Sequence, residues 1–320
     1  MGKFPIGYSW RFGDSRRSPL DANPMAQRKK NPAPRKGSKE SRKDALRRIS
    51  LRAIPNVARL AERSAPFLSV VRAPRETRGV SAMGEVVSVA TYNVHRWMGV
   101  SGRSAPDPAR AHAVISELDV DVLALQEVLW MKEGDGPLGA ICDRLGLHCA
   151  FAVTRMHKRG QLGNAILSRF PISAASVIDI SNSRIERRGA LTAQVGDGLG
   201  RTFGAVATHL SLVDRTRKRQ VTSLLDHPLF EAGPSVLLGD MNAWRRCEAT
   251  RTLREELEVH HNRDWPASFP SGRPVLALDR VYAHNAKLLE VHVHDTANAR
   301  RASDHLPVVA YVEMAASPGP

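Results

Sequence analysis

From Val86 onward the chain is a succession of short β-branched and aliphatic runs, most of which end in a polar or charged residue. Val89-Ala90-Thr91-Tyr92 runs into Asn93, Val122-Leu123-Ala124-Leu125 into Gln126-Glu127, and Ala205-Val206-Ala207-Thr208 into His209. Val236-Leu237-Leu238-Gly239 leads to Asp240-Met241-Asn242, Ala277-Leu278 to Asp279-Arg280, and Ser303-Asp304-His305 precedes Leu306-Pro307-Val308-Val309. Runs of this length, bounded by turn residues, read as buried strands. The pattern predicts strands over 86–92, 120–125, 149–153, 163–167, 174–180, 190–195, 202–208, 235–238, 276–283, 288–293 and 306–312. Helices are expected over 107–118, 138–145, 215–225 and 248–257. The first opens at Pro106-Asp107-Pro108 and places Ala111, Val114, Ile115 and Leu118 on one face. Many short strands with few helices bury their apolar faces when two sheets pack together and the helices cover the outside. The polar strand ends then converge on one rim, which becomes the candidate site.

Charge divides the chain. The first 82 residues carry 20 Lys and Arg against 6 Asp and Glu, and the remaining 238 carry 27 against 26. The excess of +15 therefore belongs almost wholly to an N-terminal arm, with the main folded domain expected over 83–316. Asn31-Pro32-Ala33-Pro34-Arg35-Lys36 typifies a segment with too little apolar surface to offset chain entropy, so residues 1–82 are expected to be largely disordered. Within it, Leu46, Ile49 and Ala53 recur at helical spacing among arginines, which allows a basic amphipathic helix over 41–60 for a membrane surface or nucleic acid. The plainer readings are a solvated tail, or translation beginning at Met25 or Met83. Three cysteines, Cys142, Cys149 and Cys247, make no disulfide framework and show no zinc-ligand spacing, which points to a reducing, cytoplasmic setting. No apolar run reaches membrane-spanning length, and the first 30 residues lack a secretory h-region.

Thr91-Tyr92-Asn93-Val94-His95, Leu125-Gln126-Glu127-Val128 and Gly163-Asn164-Ala165-Ile166-Leu167-Ser168-Arg169 occur in that order. Gly239-Asp240-Met241-Asn242 and Ser303-Asp304-His305-Leu306-Pro307-Val308 follow. The set resembles the ordered motifs of the endonuclease/exonuclease/phosphatase superfamily, which includes deoxyribonuclease I, abasic-site endonucleases and neutral sphingomyelinases. The resemblance implies an α/β fold, a four-layered α/β sandwich of two packed mixed sheets flanked by helices. It also implies a metal-dependent phosphoesterase using Mg²⁺, with Mn²⁺ as the alternative, and it does not reach residues 1–82.

Carried onto this chain, the resemblance makes Glu127, Asn93 and Asp304 the metal-binding set, in keeping with the preference of Mg²⁺ for hard oxygen donors. Asp240 would orient or deprotonate the attacking water, and Asn242 would donate to a phosphate oxygen. Gly-Asp-x-Asn is equally a good turn sequence. His305 would pair with Asp279, which fixes the imidazole tautomer and favours the imidazolium; whether Asp240 or His305 is the base stays open. His209 matches a phosphate-contacting histidine and Asn164 a phosphate-binding or bracing residue. Arg188, in Arg187-Arg188-Gly189-Ala190-Leu191, is either a bidentate phosphate ligand or a surface charge.

His95 stands where abasic-site enzymes carry an aspartate, which weakens a DNA-repair assignment and leaves the hydrolase assignment intact. The expected substrate is a phosphate ester, with DNA or RNA the leading class. Against it, the catalytic part is nearly neutral, and the basic stretch Arg215-Thr216-Arg217-Lys218-Arg219 reads most simply as a solvated helix face. Trp97, Trp130 and Trp244 follow the motifs and could line the site mouth or a lipid-facing rim. A phospholipid or sphingomyelin-type phosphodiesterase is therefore the alternative, aided by the arm at an anionic membrane. The rival from another class is a non-enzymatic protein that binds nucleic acid through the arm. No obligate protein partner is indicated.

Overall fold

The computed structural model describes residues 65–76, 82–131, 136–183, 186–230, 233–257 and 264–314. Of the expected arm over 1–82, residues 1–64, with the basic helix at 41–60, and 77–81 lie outside the described residues. One sheet has seven strands in the order β1 (Phe67–Arg72), β4 (His148–His157), β5 (Gly160–Ser168), β3 (Val122–Met131), β2 (Val86–Asn93), β12 (Val308–Met314), β11 (Ala286–Val293). The other has five, in the order β10 (Asp279–His284), β9 (Ser235–Asp240), β8 (Thr202–His209), β7 (Gly189–Gly196), β6 (Ile172–Asp179). Each sheet holds one parallel pair, β2–β3 and β8–β9, and is otherwise antiparallel.

A parallel pair needs a crossover, and helices supply both. α1 (Pro108–Leu118) joins β2 to β3; Asp107 caps it by accepting from the Ala109 amide at 3.2 Å, and Ala111, Val114, Ile115 and Leu118 face inward. α3 (Asp214–Leu225) joins β8 to β9. With α2 (Gly136–Leu145), α1 covers the outer face of the large sheet, while α3 and α4 (Glu248–Glu256) cover the small one. Between the sheets, Val87, Val89, Val122, Ala124 and Ile166 meet Leu191, Ala205, Ala207, Val236, Leu238 and Val281. These are the four layers the sequence led us to expect. No helix among the described residues is long and apolar enough to cross a membrane.

Three local features depart from expectation. β1 lies within the segment expected to be disordered, yet it pairs antiparallel with β4 from Phe67↔Val153 to Arg72↔Cys149 and packs Phe67 and Val70 on the core. Its basic surroundings hid two apolar anchors. Arg217, expected on a solvated helix face, is fully buried: Nη1 donates to the carbonyls of Ser211 (2.7 Å) and Asn242 (2.8 Å), and Nη2 pairs with Asp214. A buried guanidinium persists because carbonyl and carboxylate partners meet both of its Nη groups, although its Nε is left without one. Trp97, offered as a site-mouth residue, is core, 1% exposed, with its indole N–H donated to the Leu129 carbonyl.

Gly239 is inside β9 rather than in a turn, and a Cβ there would run into the Thr208 carbonyl oxygen on β8. Gly239→Ala should therefore push the central strands of the small sheet apart and cost about 1–3 kcal/mol. Urea denaturation tests this, and an unchanged midpoint would remove close strand approach as the reason for the glycine.

Candidate active site

The register of the small sheet sets out a row of ionisable groups. His209 on β8 lies opposite Asp240 on β9, which lies opposite Asp279 on β10. Neighbouring strands are about 4.8 Å apart, so the three side chains share one end of the sheet. The large sheet delivers its polar strand ends to the same place, because Asn93 on β2 is in register with Gln126 on β3, and Ser303 Oγ donates to the Asn93 carbonyl at 2.6 Å. That hydrogen bond anchors Asp304 and His305 beside them.

The groups meet at one oxygen. Asp240 Oδ2 accepts from Asn93 Nδ2 at 3.1 Å and faces His209 Nε2 at 3.4 Å and His305 Nε2 at 3.8 Å, while Oδ1 accepts from the Asn242 amide at 2.9 Å. His305 Nδ1 lies 2.8 Å from Asp279 Oδ2, an oxygen that also accepts from Ser268 Oγ at 2.6 Å, and the ring is flanked by Phe269. The expected His305–Asp279 pair is thus present, with Ser268 as an anchor the sequence did not announce.

Burial and charge set the protonation states. Burial, with Asp279 adding repulsion and His305 opposing it, lifts Asp240 to about 6. Burial pulls His305 down, but the Asp279 and Asp240 carboxylates outweigh it and raise the group to about 10. His209 is driven well below its usual range by burial, reinforced by Arg188, His305 and Arg155. At neutral pH the centre therefore holds an imidazolium at His305, a neutral imidazole at His209, and a carboxylate at Asp240 poised near its own titration.

Glu127 was expected at a strand end. β3 instead continues to Met131 through a bulge, with Glu127 at φ +52°. His95, Arg96 and Trp97 form a 3₁₀ turn at φ +44°, +58° and +63°, and Asn242 sits at φ +50°. Five of the seven described non-glycine residues with positive φ are therefore at or beside the site. Left-handed backbone costs such residues energy, and its concentration here marks geometry held by function rather than by propensity.

Asn242 departs from its expected role. β9 stops at Asp240, and the Asn242 side-chain amide donates to the Leu210 carbonyl at 2.9 Å. It braces the β8 and β9 loops, and Gly-Asp-x-Asn here is the end of β9 and the first residues of the loop after it. Asn164 also braces, donating to the Gly189 carbonyl at 2.9 Å from the wall of a cleft of about 220 Å³. Arg188 lines that cleft with Glu127 and His209; its Nε donates to Glu186 Oε1 at 3.3 Å. Arg155 lines it too and carried no sequence signal, because nothing in a strand interior distinguishes it from a surface charge.

Two groups of residues could hold a divalent cation. Asp240, Asp279 and His305 offer ligand atoms within 4.8 Å of one another, so proximity alone would permit it. His305 Nδ1 and Asp279 Oδ2 are engaged in their hydrogen bond and both Asp240 oxygens in buried contacts, while Asp279 Oδ1 is buried without a partner. The expected set offers oxygen donors alone. Asn93 comes from the end of β2, Glu127 from the bulge in β3 and Asp304 from the segment before β12, with both carboxylates about one-fifth exposed (22% and 24%). Each carboxylate meets a cationic partner from the strained turn: Arg96 Nε is 3.2 Å from Glu127 Oε2, without hydrogen-bond geometry, and His95 Nδ1 is 3.1 Å from Asp304 Oδ1. Arg96 and His95 therefore already offset part of the negative charge that a divalent ion would meet.

The sequence profile of the endonuclease/exonuclease/phosphatase family matches residues 90–305, which covers every one of these groups, and the chain belongs to that family. It is 28% identical over 246 residues to the uncharacterized Escherichia coli protein YbhP, covering 71% of this chain and 96% of that one. Among solved structures, a Beutenbergia cavernae endonuclease/exonuclease/phosphatase superposes with a TM-score of 0.62 at 26% identity, over 73% of each chain. The human nocturnin catalytic domain, solved with a bound sulfate anion, gives 0.58 at 19% identity over 73% of this chain and 97% of that one. The chain is accordingly a phosphoester hydrolase by family, and the sandwich is the family's fold.

Asp279→Asn should lower the His305 pKa from about 10 toward the ordinary 6.5. Because the folded state binds that proton more tightly, the stabilisation is fully present below pH 6.5 and fades as pH rises through 10. An NMR titration of the imidazole should show the drop, and the melting-temperature gap between wild type and variant should close over that window. A gap independent of pH would mean that Asp279 acts through packing alone.

Proposed function

We propose that the protein is a divalent-metal-dependent phosphodiesterase that hydrolyses its substrate by attack of water on phosphorus. The observation that carries this reading is the Asp240 carboxylate: buried, near neutral in pKa, and faced by Asn93, His209 and His305 at one oxygen. A general base works best when its pKa lies near the working pH, and Asp240 meets that condition. Asp240 orients the water and takes its proton. The His305 imidazolium, held by Asp279, donates to a phosphoryl oxygen, and the neutral His209 hydrogen-bonds another. Arg155 and Arg188 offer charge to the phosphate from the cleft wall.

Asn93, Glu127 and Asp304 would hold the cation, magnesium or manganese. When bound it supplies charge that stabilises the phosphoryl and leaving oxygens. A nucleic-acid backbone, the leading class from the sequence, and a phospholipid both present the required diester. A scaffold that had lost catalysis should lack one of Glu127, Asp240, Asp304 or His305, and the chain retains all four.

Hydrolysis of bis-p-nitrophenyl phosphate by the full chain, with Mg²⁺, Mn²⁺ or EDTA, tests the reading. Turnover should require the metal, and Asp240→Asn and Glu127→Gln should each lower kcat/KM by about 10²–10⁴-fold while the proteins still melt cooperatively. Undiminished turnover in EDTA, or a fully active Asp240→Asn, would overturn it.

A further inference from the structure

We infer that the rim beside the active site, formed by the loops after β8 and β9 and before β10, docks on an anionic lipid bilayer and presents the cleft to lipid phosphodiesters. The inference rests on the phosphodiesterase reading for its chemistry and on the rim itself for its surface.

Four large apolar side chains stand out of this rim: Leu212 at 58% exposure, Val213 at 56%, Trp244 at 46% and Val275 at 66%. Their sequence positions place them together. Leu212 and Val213 come three and four residues after His209, Trp244 comes four after Asp240, and Val275 comes four before Asp279. His209, Asp240 and Asp279 are the cross-strand row that defines the catalytic end of the small sheet, so all three loops project from that end. Contacts tie the loops to one another. Arg245 Nη2 donates to Asp214 Oδ2 at 2.8 Å, joining the residues next to Trp244 and Val213, and Trp244 and Val275 line one cleft of about 700 Å³. Leu199 is more exposed still, at 74%, but it lies alone in the β7–β8 turn at the opposite end of the sheet.

The apolar tips sit in a ring of positive charge. The two clefts on either side of Arg245 and Arg246 are lined by eight arginines and lysines against three carboxylates among the described residues. The Trp244 ring packs over the guanidinium of the buried Arg217, 5.6 Å from the ring centroid, and remains 46% exposed to solvent. Exposed tryptophan and aliphatic side chains ringed by arginine are the composition of a membrane interface: the apolar tips enter the headgroup boundary and the cations meet anionic lipid. A nucleic-acid strand would use the arginines and Trp244, but it would leave Leu212, Val213 and Val275 facing a polar backbone. The apolar residues therefore favour lipid.

Flotation of the full chain with vesicles of phosphatidylcholine, with and without phosphatidylglycerol, tests this alongside hydrolysis of soluble bis-p-nitrophenyl phosphate. Binding should require the anionic lipid. The Leu212→Glu/Val213→Glu double variant should weaken it by about tenfold or more, from the apolar area no longer buried, while soluble hydrolysis stays at the wild-type level. Brominated lipid should quench wild-type fluorescence more than that of Trp244→Phe, a difference that Trp10 of the basic N-terminal segment, common to both proteins, cannot produce. Should the double variant fail to fold, Val275→Glu carries the same expectation. Unchanged binding and quenching in the variants, or equal binding to uncharged vesicles, would overturn the proposal. So would a rim that binds single-stranded DNA through these residues and leaves vesicles alone. Absence of soluble hydrolysis in the wild type, with vesicle binding intact, would instead remove the phosphodiesterase reading and leave the docking surface standing.

Discussion

A single buried carboxylate joins the two halves of this protein. Asp240 ends the strand next to the edge of the small sheet, is 2% exposed, and takes a hydrogen bond from Asn93, the last residue of a central strand in the large sheet. A carboxylate with so little water needs compensation, which His305 supplies as an imidazolium and Asn93 and the Asn242 amide supply as donors. None of these partners lies on the strand that carries Asp240. His305 arrives on the segment leading into β12 of the other sheet, and the centre exists only when the sheets are packed. Folding and assembly of this centre are therefore the same event, and Asp240 is held in an environment that raises its pKa because the sandwich is closed around it.

The surrounding charges follow from that arrangement. Glu127 and Asp304 lie on the solvent side of the centre and Asp240 and Asp279 on the buried side, so the rim would be strongly negative if nothing met it. His95 and Arg96 meet the outer pair, and Arg188 and Arg155 line the same cleft as Glu127. The outer pairs are partly exposed and screened, and the Arg96–Glu127 contact lacks hydrogen-bond geometry, so these cations are held loosely compared with the His305–Asp279 bond. The strain at residues 95–97, 127 and 242 buys this placement: a regular strand would carry Glu127 to the far face, and the bulge returns it to the rim.

The sequence made the strands, the four layers and most of the site legible, because each depends on local chemistry. β-branched runs between turn residues mark strands, and Pro108 behind a capping Asp107 marks the start of α1. What it could not reveal depends on contacts between distant residues. β1 is six residues long with only two anchors, inside a segment whose composition argues against structure. Asn242 could donate to a phosphate or to a carbonyl, and only the position of Leu210 decides. Ser268 becomes part of the centre through Asp279, eleven residues away along a loop. Arg217 was misread for the same reason: a run of basic residues on a helix looks uniform until one learns which of them faces inward.

Arg217 also ties the loops of the candidate site to the apolar rim. Its guanidinium fastens the Ser211 and Asn242 carbonyls, pairs with Asp214, and carries the Trp244 ring. Ser211 follows His209 by two residues and Asn242 follows Asp240 by two, so the same cation sets the spacing of the two catalytic strand ends. Asp214 passes the restraint on to Arg245, beyond Trp244. A force applied at the rim by a surface pressing on Trp244 or Val213 would therefore reach the His209–Asp240 contact through hydrogen-bonded atoms rather than through a flexible loop. The buried charge that looked like a solvated face is the mechanical link between where this protein would meet a substrate-bearing surface and where it would cut.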